Sequence, residues 1–399
     1  MNVIILTGEL YPNGLAATNR IKCYARAIQE GGLDCEVLIY RRTEVYGKPA
    51  RNVEGKGTYA GVPFRYIGGT PQRGSNIFIR QLNDRLDVWR TEKYLYNKLK
   101  KGDVLLLYMG RPVELMLRFM KVAHQKGAFC VRDLCELPYG TGLETSKTIK
   151  LRKKTLENQF PILDGVFCIS STLLDLAKKY TSPSCKLIKV PIMVEYDNYC
   201  MEDRADDADI PYIFHAGTLY QQKDGILGMI EAFGIACQYL KKPIRFISTG
   251  FLNKSPHKDE IKNLIEKYHI EDKILFTGYL SEQELKDYLS KASMVIINKY
   301  LTQQNIYCFS TKLGEYMAAS KPIIITRVGE AMNWLRDGDN AYLVDPGDTN
   351  SLSEVIVHVF NNPNEAKIIG KKGQLTCHKD FDFRSWSKPI VDFLKNLAD

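Results

Sequence analysis

The sequence lacks any apolar run that approaches the roughly 20 residues of a membrane-spanning helix. Its start, MNVIILTGELYP, has no basic segment and only a short apolar run, so we expect no signal peptide. The ten cysteines include no CxxC pair, and no cysteine–histidine group has the spacing of zinc ligands. We therefore expect a cytoplasmic protein whose thiols are reduced and mostly buried.

Three patterns that mark other protein classes are also missing. No GxGxxG follows the first predicted strand, which argues against a dinucleotide-binding fingerprint. No stripe of basic and aromatic residues is present, which argues against a nucleic-acid reader. The closely spaced aspartates Asp206, Asp207 and Asp209 lie in a segment that we predict to be a linker. We therefore expect no metal requirement.

The composition is that of a globular protein, with 45% hydrophobic and 25% charged residues. A chain of 399 residues exceeds what one core usually organises, which predicts two domains. The net charge of +9 allows an anionic ligand or an anionic surface. The densest basic cluster has two open interpretations, a solvated helix face or a peripheral contact with anionic lipid or a lipid-linked acceptor. It consists of Lys147, Lys150, Arg152, Lys153 and Lys154.

Short apolar runs alternate with amphipathic segments through the first half of the chain. The runs are nearly continuous, as in strands covered on both faces. They predict strands at 2–8, 35–42, 62–68, 103–109, 128–133, 165–170 and 186–191. Helices are predicted at 17–30, 77–100 and 144–160.

The polar, acidic stretch 201–210 predicts a linker between domains at 1–200 and 211–382. Beyond it the alternation resumes, with strands predicted at 212–217, 244–250, 274–278, 294–299, 322–326 and 341–345. Ser281 and Glu284 form a capping box that opens a helix. The last segment, 383–399, is expected to be helical from 383 to 397 and to pack back on the first domain.

This alternation predicts an α/β protein with two Rossmann-like, doubly wound parallel sheets. Ligands of such sheets bind beyond the carboxyl ends of the strands. The most informative stretch at such an end is 309–326, FSTKLGEYMAASKPIIIT. Ser310 can cap a helix that runs from Thr311 to about Ser320, with Pro322 ending it.

The amino end of that helix has the chemistry of an anion site. The free N–H groups of Thr311, Lys312 and Leu313 point at a ligand, and Lys312 adds a positive charge. Glu315 follows about 6 Å along the axis from Thr311, roughly the span from a diphosphate to the hydroxyls of its ribose. A carboxylate is a strong acceptor for such a diol. The residues alone equally allow a capped helix with an ordinary surface glutamate.

The segment GEYMAASKPIII is similar to the EAMAxGxPVV segment of retaining GT-B glycosyltransferases of family 4. The resemblance implies two domains that face a central cleft. It implies that Glu315 binds the donor ribose, and that the backbone before it holds the diphosphate. That backbone comprises Phe309, Ser310, Thr311, Lys312 and Leu313. The commonest form of the family has a glutamate where this chain has Tyr307, so no first catalytic glutamate is assigned.

Two further loops resemble donor-side elements of the same family. Gly217, Thr218 and Lys223 match its GRLxxxKG element, with Thr218 replacing the family's arginine. This implies that Lys223 neutralises phosphate charge during catalysis. Gly14 and Arg20 lie in a loop that resembles the family's first glycine loop, which implies contact with the diphosphate or the acceptor. An ordinary turn or surface lysine is the alternative at each place.

The remaining matches concern the acceptor and the nucleobase. Asp133 and Glu136 follow a predicted strand where family members often have an acceptor-side histidine or acid, which implies that they orient the acceptor hydroxyl. The alternative is a loop whose acids pair with Arg132. Tyr279 lies in a segment that resembles the one beside the nucleobase.

The resemblance implies a metal-independent, retaining, hexosyl-type glycosyltransferase. Its donor would be a nucleotide-diphosphate sugar, and its acceptor a saccharide or a lipid-linked saccharide at the inner membrane face. No cofactor is expected beyond this substrate. Two other classes stay open: a nucleotide-sugar 2-epimerase of similar architecture, and a non-catalytic homologue that binds a nucleotide sugar. Product analysis separates them, and the donor base, the sugar and the acceptor are left undetermined.

Overall fold

The computed structural model describes residues 1–108, 112–140 and 144–398. Met109, the end of one predicted strand, and Asp399, the end of the predicted last segment, lie outside these ranges. The chain divides into two compact units. Unit 1 is Met1–Val194 together with the last residues from Phe383 onward, and unit 2 is Glu195–Asp382. Within the described ranges, no helix is long and apolar enough to cross a membrane.

Unit 1 is built on an eight-stranded sheet. Its strands are β1 (Asn2–Thr7), β2 (Asp34–Ile39), β3 (Lys56–Tyr59), β4 (Val62–Tyr66), β5 (Val104–Tyr108), β6 (Phe129–Leu134), β7 (Gly165–Cys168) and β8 (Lys186–Lys189). Their order is β3-β4-β2-β1-β5-β6-β7-β8, and every pair is parallel except the β3–β4 hairpin. The helices of this unit are α1 (Ala16–Glu30), α2 (Ile77–Lys98), α3 (Val113–Gln125), α4 (Ser146–Asn158) and α5 (Ser171–Tyr180).

The C-terminal helix, Ser387–Lys395, belongs to the core of unit 1. It packs against α1 and buries Ile390 and Leu394 completely. Its Phe393 ring lies 5.2 Å from the ring of Phe167 on β7, which in turn stacks on Tyr24 of α1. The end of the chain therefore covers apolar surface that the first 194 residues would otherwise expose.

Unit 2 contains a six-stranded, wholly parallel sheet. Its strands are β9 (Tyr212–His215), β10 (Arg245–Thr249), β11 (Ile274–Gly278), β12 (Met294–Ile297), β13 (Ile323–Thr326) and β14 (Tyr342–Val344), in the order β11-β10-β9-β12-β13-β14. Its helices are α6 (Gln221–Asp224), α7 (Ile226–Tyr239), α8 (Lys258–Tyr268), α9 (Glu282–Lys291), α10 (Gln303–Tyr307), α11 (Thr311–Ala318), α12 (Thr349–Asn361) and α13 (Pro363–Asp380).

The predicted strands are confirmed to within a few residues at their ends, because continuous apolar runs mark strands buried on both faces. The Ser281–Glu284 capping box is confirmed as well. Strand β3 was not predicted, since its sequence KGTY is mostly exposed and pairs only with β4. The acidic stretch 201–210, which was predicted to be a linker, lies inside unit 2, and the boundary falls earlier, at Glu195. Asp203 pairs with Lys321, and the Arg204 amide donates to the Ser290 carbonyl.

Candidate functional site

In the sheet of unit 2, the order in which the chain adds strands reverses between β9 and β12. After β9 the chain builds β10 and β11 to one side, and it then crosses to build β12, β13 and β14 on the other. Beyond the carboxyl ends of β9 and β12, the connecting loops therefore leave in opposite directions. A crevice at this switch point is where parallel α/β sheets bind ligands.

The loop after β9 is fixed by contacts that tolerate little change. A Cβ on Gly217 would lie 2.1 Å from Cε1 of His215, so only glycine fits there. The amide of Ala216 donates to the Tyr316 hydroxyl at 2.8 Å, and the amide of Gly217 donates to Oγ1 of Thr249 at 2.8 Å. Leu219 is buried with a positive φ of 59°. These contacts shape the loop without using side chains that face a ligand.

Asp224 ends α6, close to this switch point, and is only 5% exposed. Its carboxylate accepts from the amide and the hydroxyl of Thr218, at 2.9 and 2.8 Å, and from Nζ of Lys312 at 2.7 Å. Burial alone would raise the pKa of Asp224, but the charge of Lys312 and these hydrogen bonds bring it well below its ordinary value. The ion pair therefore holds the start of α11 against the loop after β9.

Two further lysines lie close enough to Lys312 to affect its charge. Burial lowers the pKa of Lys312 below its ordinary value, Asp224 opposes that shift, and the charges of Lys299 and Lys223 lower the pKa further. Lys223 is exposed on α6, whereas Lys299 is half-buried after β12 and donates to Asn305 at 3.3 Å. We call Lys223, Lys299 and Lys312 the lysine cluster. Such clustered positive charge attracts a polyanion, for example a diphosphate.

His215 is buried beneath the lysine cluster and is held neutral. Burial lowers its pKa to about 3, and the charge of Lys312 adds to that effect while Asp224 opposes it. Its Nδ1 lies 3.0 Å from Oγ of Ser248, and its Nε2 lies 4.0 Å from Asp224. Because this imidazole is neutral, Lys312 is the residue that compensates the charge of Asp224.

We expect the free energy of unfolding of His215→Asn to fall less steeply with decreasing pH than that of the wild type. The folded pKa lies below the unfolded value of 6.5, so stability is fully present above pH 6.5 and falls as pH drops toward 3. The loss is about 1.4 kcal/mol per pH unit for this one proton. Urea unfolding of both proteins between pH 7 and 5 (about two units) measures the difference. Parallel curves for the wild type and the variant would contradict the assignment.

Helix α11 begins at Thr311 as predicted, and it ends at Ala318. Ser310 occupies the N-cap position, but its side chain makes no capping hydrogen bond, so the predicted hydroxyl cap is wrong. Phe309 is buried and stacks on Trp334 with ring centroids 5.2 Å apart, and Leu313 is completely buried. The Leu313 amide donates to the Ser310 carbonyl at 3.1 Å, so the prediction that this N–H group is free for a ligand is wrong.

Glu315 lies one turn inside α11 and is half-buried. The next residue, Tyr316, is buried and accepts the Ala216 hydrogen bond, so α11 is joined to the β9 loop at two places. Tyr279 is 56% exposed on the same edge of the sheet, just beyond β11. The structure thus brings Glu315, Lys312 and Lys223 together at the switch point and leaves Tyr279 two strands from β9.

In unit 1, Arg20 and Asp133 form a buried ion pair with 2.9 Å between Nη2 and Oδ1. Arg20 is 2% exposed and also donates to the carbonyl of Pro191 at 2.7 Å, while the Tyr24 hydroxyl donates to Asp133 at 2.6 Å. The predictions placed Arg20 on the diphosphate or the acceptor, and Asp133 on an acceptor hydroxyl. The structure instead encloses both side chains, because they join α1 to the end of β6.

The other two predicted residues of unit 1 differ in their surroundings. A Cβ on Gly14 would lie 1.9 Å from Oγ1 of Thr18, so glycine permits a tight approach of this loop to α1. Oγ1 of Thr18 donates to the Leu10 carbonyl at 2.7 Å. Glu136 is half-buried beyond the end of β6, where an acceptor could reach it.

One group in unit 1 has the residue types of a metal site. The ligand atoms of His124, Cys130 and Asp164 lie within 4.8 Å of one another. However, burial raises the pKa of the Cys130 thiol well above its ordinary value, which opposes the thiolate that a metal needs. Oδ2 of Asp164 already accepts from the Cys130 amide at 2.7 Å and lies 2.9 Å from Nε2 of His124. The group therefore fits a structural hydrogen-bond set.

Comparison with known proteins connects unit 2 to one enzyme family. Residues 202–376 match the family model described as Glycosyl transferases group 1. An uncharacterized glycosyltransferase of Methanocaldococcus jannaschii is 27% identical over 209 residues, which is 52% of this chain and 54% of that protein. N-acetyl-alpha-D-glucosaminyl L-malate synthase of Bacillus anthracis is 26% identical over 121 residues, 30% of each chain. These matches span about half or less of those relatives.

Solved structures resemble the whole chain. Sucrose-phosphate synthase from Thermosynechococcus elongatus has a TM-score of 0.73 at 16% identity, covering 100% of this chain and 99% of that one. HepE from Anabaena, in complex with UDP and glucose, has a TM-score of 0.70 at 14% identity, covering 99% of both chains. At such identities the likeness shows the fold alone. The predicted α/β class, with two Rossmann-like parallel sheets of the GT-B type, is confirmed.

Proposed function

We propose that this chain transfers a hexosyl group from a nucleoside-diphosphate sugar to a saccharide or lipid-linked acceptor, with retention of configuration and without a metal ion. The observation that carries the proposal is the lysine cluster at the switch point of unit 2. Its support is that this unit carries a Glycosyl transferases group 1 domain. The positive charge of this crevice suits a diphosphate, and the family model that matches the unit describes enzymes that use such donors.

In this proposal the lysine cluster and the amino end of α11 hold the diphosphate. Lys312 and Lys223 supply positive charge, and the amides of Thr311 and Lys312 at the start of α11 supply hydrogen bonds. Glu315 accepts hydrogen bonds from the ribose hydroxyls, one turn further into the helix. Gly217 and Thr218 contribute by shaping the loop, because their amides already have protein partners. Tyr279 lies on the sheet edge where a nucleobase could stack.

The proposed reaction needs no protein nucleophile. The bond between the anomeric carbon and the diphosphate oxygen breaks, and both electrons stay on the diphosphate. The acceptor oxygen attacks the same face of the sugar, and its proton passes to a diphosphate oxygen. The lysine cluster stabilises the charge that develops on the leaving group, with an expected contribution of about 3 kcal/mol per well-placed donor. Glu136 of unit 1 is our candidate for orienting the acceptor.

Names of relatives support the choice of substrate class. Solved structures of HepE contain UDP, glucose or UDP-glucose, and a pneumococcal O-GlcNAc transferase was solved with UDP and GlcNAc. We therefore propose UDP as the probe for the donor site. The ten cysteines of this chain are free thiols, which supports a reducing, cytoplasmic compartment.

We expect Lys223→Ala and Lys299→Ala each to weaken UDP binding about tenfold, because a hydrogen bond to a charged group contributes roughly 1.5 kcal/mol. Titration calorimetry with UDP in EDTA measures this change. Lys262→Ala, an exposed lysine of α8, is the matched control and should bind UDP like the wild type. Unchanged affinity in both cluster variants would contradict the proposal that the diphosphate binds in this crevice. Binding that disappears in EDTA and returns with magnesium would overturn the metal-free mechanism.

A further inference from the structure

Helix α2 contacts unit 1 along one narrow face. Of its 22 residues, only Asp87, Thr91 and Leu95 are buried. These three are spaced four apart, so they lie on one side of the helix. At about 100° per residue, the side directly opposite them is occupied by Leu82, Trp89 and their neighbours.

That opposite side is apolar along more than three turns of the helix. Phe78 is 76% exposed, Leu82 58% and Trp89 55%, and Ile79 and Leu86 are exposed beside them. We call these five residues the α2 stripe. Large apolar side chains that are exposed in one contiguous row mark a docking surface rather than ordinary surface composition.

Uncompensated positive charge borders the α2 stripe at two places. At about 100° per residue, Arg85 lies beside Phe78 and Lys93 lies beside Leu82, whereas Arg80 and Lys98 lie on the opposite side of the helix with Thr91. Among the described residues, no ion pair involves Arg85 or Lys93. Of the three acids of the helix, Asp87 pairs with Arg42 and Arg90, Glu92 pairs with Arg118, and Asp84 lies on the side of Thr91.

Aromatic rings and lysines meet at the C-terminal part of α2. Nζ of Lys93 lies 5.2 Å from the ring centre of Trp89, and Nζ of Lys126 lies 4.4 Å from that of Tyr96. Trp89 and Tyr96 border a groove of about 490 Å³ between α2 and α3 that Lys121 also lines. Tryptophan and tyrosine beside lysine are the side chains favoured at the boundary between lipid head groups and acyl chains.

We propose that α2 docks on the surface of an anionic lipid bilayer, with the α2 stripe in the acyl boundary and the flanking cations among the head groups. An amphipathic helix with phenylalanine, leucine and tryptophan on one side and basic residues around it binds membranes in this way. A bilayer at this surface buries the apolar area and also neutralises Arg85 and Lys93. This proposal does not depend on the nucleotide site of unit 2.

The charges argue against a second copy of the chain as the occupant. In a two-fold contact the same surface faces itself, so the α2 stripe of one copy would meet that of the other. The uncompensated cations at the border, Arg85 and Lys93, would then face like charges across the interface. Juxtaposed like charges oppose association, whereas an anionic bilayer offers the complementary sign.

The same reasoning favours α2 over the basic cluster that the sequence brings forward on α4. There, Arg152 pairs with Glu144, Lys153 with Glu157 and Lys154 with Glu114. Those acids already compensate much of the charge of the α4 cluster. The α2 stripe combines apolar side chains with uncompensated charge, which the α4 cluster does not.

Co-sedimentation with vesicles tests the proposal on the full chain. We expect binding to phosphatidylcholine vesicles that contain phosphatidylglycerol, and weak binding to phosphatidylcholine alone. Arg85→Gln combined with Lys93→Gln should lower the partition coefficient about 25-fold, since each basic residue contributes about a fivefold factor. Phe78→Ser combined with Leu82→Ser should lower it at least about 100-fold. Emission of Trp89 should shift to the blue on binding, measured against a Trp89→Phe variant.

Matched variants separate α2 from general effects. Leu375→Ser combined with Tyr239→Ser removes two residues that are each 70% exposed in unit 2, and it should bind vesicles like the wild type. Lys147→Gln combined with Lys150→Gln on α4 should have little effect. All variants should keep the wild-type UDP affinity, so this test fails or succeeds separately from the proposed function. Equal vesicle binding by the α2 variants, or absent vesicle binding with a concentration-dependent dimer in sedimentation, would overturn the proposal.

Discussion

Replacement of Lys312 by methionine is expected to destabilise unit 2 by about 3 kcal/mol and to weaken UDP binding at least about 100-fold. The stability loss follows because Asp224, 4% exposed at its side chain, would remain buried without its cation. The binding loss follows because Lys312 is the lysine of the cluster at the start of α11. Urea unfolding and UDP titration measure the two effects separately.

The second substitution Asp224→Asn separates stability from binding. In the double variant the buried charge is gone, so most of the lost stability should return. UDP affinity should stay low, because the cation that meets the diphosphate is still absent. A double variant as unstable as Lys312→Met would mean that the ion pair is not the cause. If the double variant regains UDP affinity, the assignment of Lys312 to the donor site is wrong.

Replacement of Glu315 by alanine is expected to lower donor turnover by about 100- to 1000-fold while unfolding stays near that of the wild type. Two hydrogen bonds from the ribose to a carboxylate contribute together about 3–4 kcal/mol. The loss is measured as UDP released from a panel of UDP-sugars. Glu354→Ala, an exposed glutamate of α12, is the control and should turn over normally.

A comparison of UDP with 2′-deoxy-UDP assigns the effect to the ribose. Wild-type protein should discriminate against the deoxy ligand by about tenfold or more, since its glutamate would lose a hydrogen-bond partner. Glu315→Ala should bind both ligands equally. If the variant still discriminates, another group holds the ribose and our assignment of Glu315 fails.

The fold could be predicted because buried parallel strands have a strong sequence signature. Continuous apolar runs such as the one at β13 leave little ambiguity, and helical segments between them exclude an antiparallel sheet. Strand β3 lacks that signature, because an exposed edge strand is defined by its partner rather than by its own apolar residues. The expected packing of the C-terminal helix on the first domain is confirmed, since this helix lies in the core of unit 1.

The sequence predicted only those residues of the candidate site that lie close to one another along the chain. Lys312 and Glu315 share one helix, so their spacing alone relates them. Asp224, His215 and Lys299 were missed, because they approach Lys312 only after β9 and β12 become neighbours in the sheet. The one signal available was a charged or polar residue directly after an apolar run, as at His215 and Lys299.

Arg20 and Asp133 show the reverse error. Each has a residue type typical of catalysis. Asp133 lies at the end of β6 and Arg20 lies in the first helix after β1, so the sequence favoured contact with a ligand. The two residues are 113 positions apart in the sequence, so no local pattern reveals their ion pair. A buried arginine is stable only with such a carboxylate beside it, and that condition becomes visible only in three dimensions.

The C-terminal helix gives the chain an unusual order of assembly. During synthesis, all residues that form unit 2 leave the ribosome before the segment that begins at Phe383. Unit 1 is begun first but completed last, because α1 and β7 wait for Ile390, Phe393 and Leu394. Its nascent part therefore keeps an uncovered apolar surface while nearly 200 further residues are made, which is the interval when chaperones would protect it.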